Sequence, residues 1–99
     1  MNHSEYIKSL ENEQMPEGLS VYLQSLWLDK KGEWDRAHGL IDSLPGEDAA
    51  RLHAYLHRKE GDLSNAGYWY SRVGTDRPDS SLDEEWDELL RYFLGKDGS

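Results

Sequence analysis

Two short segments built on one plan constrain the fold more than anything else in this chain. Gly32-Glu33-Trp34-Asp35-Arg36-Ala37 and Gly61-Asp62-Leu63-Ser64-Asn65-Ala66 lie 29 residues apart. Glycine supplies the positive φ that ends one helix. The acid after it favours the positive end of the next helix dipole. Alanine, a turn later, lets two helices approach closely. In the same register Lys30 falls on Lys59, Trp34 on Leu63, and Leu40-Ile41 on Trp69-Tyr70. A chain with this plan folds as helix hairpins.

The flanking patterns predict the helices themselves. Tyr6, Ile7 and Leu10 stripe a first helix over 3–14, which Met15-Pro16 ends, since a residue before proline avoids the helical region. Pro16 suits the first turn of a second helix over 17–31. Its apolar residues, Leu19 to Leu28, spread round the whole circumference and mark it as central. Further stripes predict helices over 33–44 (Trp34, Ala37, His38, Ile41, Leu44), 47–60 (Ala49, Leu52, Leu56) and 62–73 (Leu63, Ala66, Tyr70, Val73). The last runs over 81–94, opened by a Ser81/Glu84 capping box, with an acidic outer face of Asp83, Glu84, Glu85, Asp87 and Glu88. The tail 95–99 is expected to fray. No stretch alternates with a period of two. The expectation is an all-α single domain over 1–99 with five or six antiparallel helices.

Size and charge narrow the function classes. The 99 residues suffice for one core, with four Trp and six Tyr supplying much of the buried area. A net charge of −9 repels phosphate backbones and anionic lipid, which argues against nucleic-acid and membrane-surface partners. Cysteine is absent, so disulfides and thiolate metal sites are excluded. The N-terminus lacks the pattern of a secretory signal, and no apolar run approaches bilayer length. A cytoplasmic protein is the default reading.

The two G-x-x-x-x-A turns resemble those of tetratricopeptide and Sel1-like repeats over roughly residues 19–73. That resemblance implies two stacked antiparallel helix hairpins flanked by capping helices, and a concave partner-binding face. A second resemblance covers residues 34–72. The strings W-D-R-A-H, H-A-Y-L-H-R-K-E-G-D and Y-W-Y are similar to a group of small uncharacterised proteins sharing W-x-x-A-H, the same central string and Y-W-Y. It implies that these polar and aromatic residues form one shared site. Asp42 stands where that group carries glutamine.

Residues 52–72 concentrate the reactive side chains. His53 and His57 are spaced i, i+4 and their rings share one side of a helix, with Glu60 continuing it. His38 occupies the matching flank of the preceding helix. Three imidazoles and a carboxylate form a competent zinc or iron set. Against this, Ala54 stands where a zincin motif has its glutamate, and half-buried, hydrogen-bonded core histidines are the plainer reading. Arg58, Glu60, Asp62 and Arg72 can form an ion-pair network about the turn, or the arginines can grip an anion. Asn65 fits either role. Tyr68, Trp69 and Tyr70 point to three sides of one helix, so at least one, foremost Tyr68, is expected at the surface. Neither a nucleophile motif nor a glycine-rich phosphate loop is present.

The leading functional expectation is a binding module, with no cofactor, whose groove is formed by helices three to five. Its contact residues are His53, His57, Arg58, Asn65, Tyr68, Trp69 and Arg72, and its partner a protein, a peptide or a small anionic ligand. The alternative is a metal-dependent enzyme with His38, His53, His57 and Glu60 as zinc or iron ligands. A third reading makes these residues a polar core that fixes helix register within a homodimer. Geometry separates them. A metal needs histidine nitrogens within about 4 Å of one another, a groove needs a concave pocket with exposed aromatics, and a core needs every ring nitrogen bonded to protein.

Overall fold

The computed structural model describes residues 1–97, and these form six α-helices and no strand. They are α1 (His3–Ser9), α2 (Val21–Lys30), α3 (Trp34–Ile41), α4 (Glu47–Lys59), α5 (Leu63–Val73) and α6 (Leu82–Asp97). Among neighbouring elements, α2 packs most extensively on α3 and α4 on α5. The turn glycines behave as the sequence requires: Gly32 and Gly61 take φ of 85° and 89°. Ala37 and Ala66, one turn further on, are wholly buried.

Helix boundaries differ from expectation where capping overrides periodicity. Gly18 at φ 81° and the Ser20 hydroxyl, which accepts from the Leu23 amide, delay α2 to Val21. Asn2 caps α1 with a reciprocal Glu5 contact, and the helix ends at Ser9, short of Met15-Pro16. α3 stops at Ile41 with Asp42 as its C-cap. The Ser81/Glu84 capping box is formed, at 2.9 and 3.1 Å. α6 continues to Asp97 instead of fraying from Gly95, and the remainder of the expected frayed tail lies outside the described residues. Leu63, expected inside, is 50% exposed at the first position of α5.

The main core gathers Leu23, Leu26, Trp27, Ile41, Leu52, Leu56, Trp86, Leu90 and Phe93 around α2, the central helix. Aromatic side chains with a polar handle tie the helices together, since a buried N–H or O–H needs an acceptor. The Tyr6 hydroxyl donates to the Leu23 carbonyl at 2.7 Å, and Trp27 Nε1 to Ser9 Oγ at 3.1 Å, both fastening α1 to α2. Trp86 Nε1 donates to the Leu26 carbonyl at 3.0 Å and fastens α6 to α2. Trp34 Nε1 donates to the Leu56 carbonyl at 2.8 Å and fastens α3 to α4. A smaller cluster of Ala54, Ala66, Tyr70 and Trp69 joins α4 to α5.

Candidate functional site

The seam between α3 and α4 carries the histidines. His38 and Asp42 stand one turn apart on α3 and its C-cap, and His53 and His57 one turn apart on α4, so both pairs can look across the seam. One ligand nitrogen from each of His38, His53 and His57 lies within 4.8 Å of the other two. That spread is slightly wider than the about 4 Å expected of a metal set. Ring centres are 5.2 Å apart for His38–His53, 5.1 Å for His38–His57 and 5.9 Å for His53–His57.

Each ring is held differently. His57 Nδ1 lies 2.7 Å from Glu60 Oε1. The carboxylate accepts, so Nδ1 donates to it, and Nε2 lies at a long 3.4 Å from Asn65 Nδ2. His38 stacks on the Trp34 indole, centres 5.0 Å apart, with Nε2 at 3.7 Å from Asp42 Oδ1. His53 is 2% exposed and stacks on Trp69 at 4.0 Å; neither of its ring nitrogens reaches full hydrogen-bond geometry with a described residue, although the Asp42 main chain lies near enough to act on the ring. Burial first, then the His38 and His57 rings, pushes His53 below the ordinary imidazole range, while Asp42 acts in the opposite sense. His53 is therefore neutral at pH 7, with a lone pair to give. Buried polar groups are almost always satisfied, so this ring is an exception that asks for a cause.

Of the other expected contact residues, Trp69 and Asn65 meet the histidines directly, Tyr68 and Arg72 lie against Trp69, and Arg58 does not join them. Arg58 turns away, donating through Nη1 to Glu85 Oε1 at 2.7 Å and through Nη2 to the Ser80 carbonyl. Asp62 caps α5 by accepting from the Asn65 amide at 3.3 Å. Arg72 donates to the Tyr68 hydroxyl at 3.0 Å and lies over the Trp69 ring at 5.4 Å. The expected network of Arg58, Glu60, Asp62 and Arg72 is thus replaced by four separate local contacts. Tyr68 is at the surface as expected, 54% exposed. A cavity of about 220 Å³ opens elsewhere, between α4, α5, α6 and the 74–80 connection, and none of the expected contact residues line it.

Two acids matter that sequence reasoning set among solvated charges or passed over. Glu85, assigned to the outer face of α6, is 6% exposed and receives both Arg58 and the Tyr70 hydroxyl, the latter at 2.7 Å. Its spacing four residues before Leu89 was the available signal. Asp29 is 1% exposed, accepting from Tyr55 at 2.7 Å and from Lys59 at 2.9 Å. Both are structural: a carboxylate is tolerated inside a fold where donors surround it. Comparison with known proteins found no protein-family model, no curated protein and no solved structure that matches this chain.

Proposed function

We propose that this chain is a metal-binding helical domain that holds a divalent transition ion on His38, His53 and His57. The observation that carries this reading is His53, a buried imidazole grouped with two other histidines and with neither ring nitrogen in full hydrogen-bond geometry with a described residue. One ion takes a lone pair from each of three rings at once, which removes the desolvation cost of leaving them unpaired. All-imidazole donors suit zinc, copper, nickel and iron, in that family of ions rather than magnesium or calcium. Coordination brings donors to about 2.0–2.1 Å from the ion, so the rings close by roughly 1.5 Å, a movement within side-chain reach. Glu60 supports the reading as the carboxylate that orients a ligating histidine.

The test is metal analysis of protein produced without an affinity tag, followed by zinc titration of the wild type, His53→Ala and His57→Ala. Stoichiometric binding that both substitutions abolish is expected. A wild-type protein that is folded and takes up none of these ions rejects the proposal. A second reading, an interaction face on α5, draws on the exposed Tyr68 ring with the Arg72 guanidinium beside it, a pairing common at protein interfaces. Its test is the loss of a protein or peptide contact on Tyr68→Ala.

A further inference from the structure

From the same seam, and resting on the metal reading above, we infer that Asp42 is the fourth ligand, so that the ion sits in a closed His3Asp set clasping α3 to α4. The donors come as two i, i+4 pairs, His38/Asp42 and His53/His57, one from each side of the seam. Four donors about 2.05 Å from one ion in a tetrahedron stand about 3.3 Å apart. Asp42 Oδ1 already lies 3.7 Å from His38 Nε2, too far for a hydrogen bond and close to that spacing.

The neighbouring acids are committed elsewhere. Glu60 holds His57 Nδ1 and Asp62 caps α5, whereas the Asp42 carboxylate has no hydrogen bond among the described residues. Its side chain is 65% exposed and stands outside the three-ring set, which it joins by turning inward when the ion binds. Asp42 is thus the anionic oxygen that the three rings can share an ion with.

The closed set gives the ion a place in the fold. α3 touches α4 much less than it touches α2, and the direct hydrogen bond between α3 and α4 is the single one from Trp34 to Leu56. An ion held by two donors from each side joins the α2–α3 pair to the α4–α5 pair. With all four positions filled by protein, the ion has no site for water, which is the pattern of a structural rather than a catalytic centre.

The deciding experiment compares zinc affinity of the wild type, Asp42→Asn and Asp42→Ala by competition with a chromophoric chelator. It is paired with visible spectra of the cobalt-loaded proteins before and after adding azide. Both substitutions are expected to weaken zinc binding at least about tenfold. The wild-type cobalt spectrum should be tetrahedral and insensitive to azide, while Asp42→Ala, its fourth position open, should respond. Zinc should also slow amide exchange in α3 of the wild type and do so far less in Asp42→Ala. Wild-type affinity in Asp42→Asn together with an azide-sensitive wild type would make water the fourth ligand. That outcome overturns the inference and leaves the three-histidine site standing. A folded wild type that binds neither zinc nor cobalt removes both. Circular dichroism of the exposed-site variants guards against misfolding as the cause.

Discussion

The His53 imidazole and the Trp69 indole lie face to face, ring centres 4.0 Å apart and 8° from parallel. Trp34 stacks in the same way on His38, at 5.0 Å and 7°. Each indole therefore reports on one ring of the proposed metal site. Saturating copper or nickel is expected to quench the fluorescence of both, and zinc to shift it without quenching. Trp69→Phe should lose a large share of the copper-induced change, and Trp69→Phe with Trp34→Phe nearly all of it. Equal quenching in the double variant, carried by the remaining indoles Trp27 and Trp86, would place the metal elsewhere on the chain.

Arg58 and Glu85 make the next prediction. Their side chains are 15% and 8% exposed, and Glu85 also accepts from Tyr70. Arg58→Ala leaves a buried carboxylate with only a phenol as donor. A loss of about 3 kcal/mol in unfolding free energy is expected, since breaking one side of a buried pair costs on the order of 3–5 kcal/mol. Tyr70→Phe removes a single hydrogen bond to a charged group and should cost about 1.5 kcal/mol. Urea denaturation measures both. Metal affinity should be unchanged in Arg58→Ala, because the guanidinium faces α6 and not the histidines; a large loss of affinity would return Arg58 to the site.

The contrast between Arg58 and His53 shows what the sequence could reveal. The all-α class and the two glycine turns were legible because local chemistry decides them: positive φ, capping, and a 3.6-residue stripe. So was the clustering of His38, His53 and His57, which needs only i, i+4 spacing and adjacent helices. The direction of Arg58 was not, because its partner Glu85 lies on α6 and the pairing exists only after α6 docks. The same holds for Asp29, which looks like an ordinary helix-end acid until Tyr55 and Lys59 close over it. Asp42 was noticed only as a departure from a similar sequence. Its place beside His38 and His53 depends on where α3 ends, and capping decided that.

Glycines separate two opposite effects. Gly39 and Gly67 lie inside exposed helical turns, and a β-carbon added at either meets no atom within 4 Å. Gly39→Ala and Gly67→Ala should each stabilise by about 0.5–1 kcal/mol, because alanine restricts the unfolded chain and suits the helix. A β-carbon at Gly61 also meets open space, but its φ is 89°. Gly61→Ala should therefore destabilise by about 1–2 kcal/mol through backbone strain alone. Denaturation midpoints of the three variants give the signs directly, and a stabilising Gly61→Ala would show that the turn relaxes out of its left-handed form.

Three buried phenols set the alkaline limit. Burial first, and Asp29 after it, raises the pKa of Tyr6 and Tyr55 above the ordinary phenol range, and burial followed by the Glu85 hydrogen bond does so for Tyr70. The unfolded chain ionises these groups near pH 10 while the folded one keeps them neutral. Their contribution is therefore complete below pH 10 and is lost as pH rises above it. Stability should fall by up to about 1.4 kcal/mol per pH unit for each phenol involved. The expected outcome is one cooperative step in which phenolate absorbance appears as helix is lost. Tyr55→Phe should start from a lower stability, having left Asp29 one donor short, but lose it less steeply above pH 10. Phenolate absorbance from Tyr6, Tyr55 and Tyr70 rising ahead of any loss of helix would mean that these rings reach solvent without unfolding.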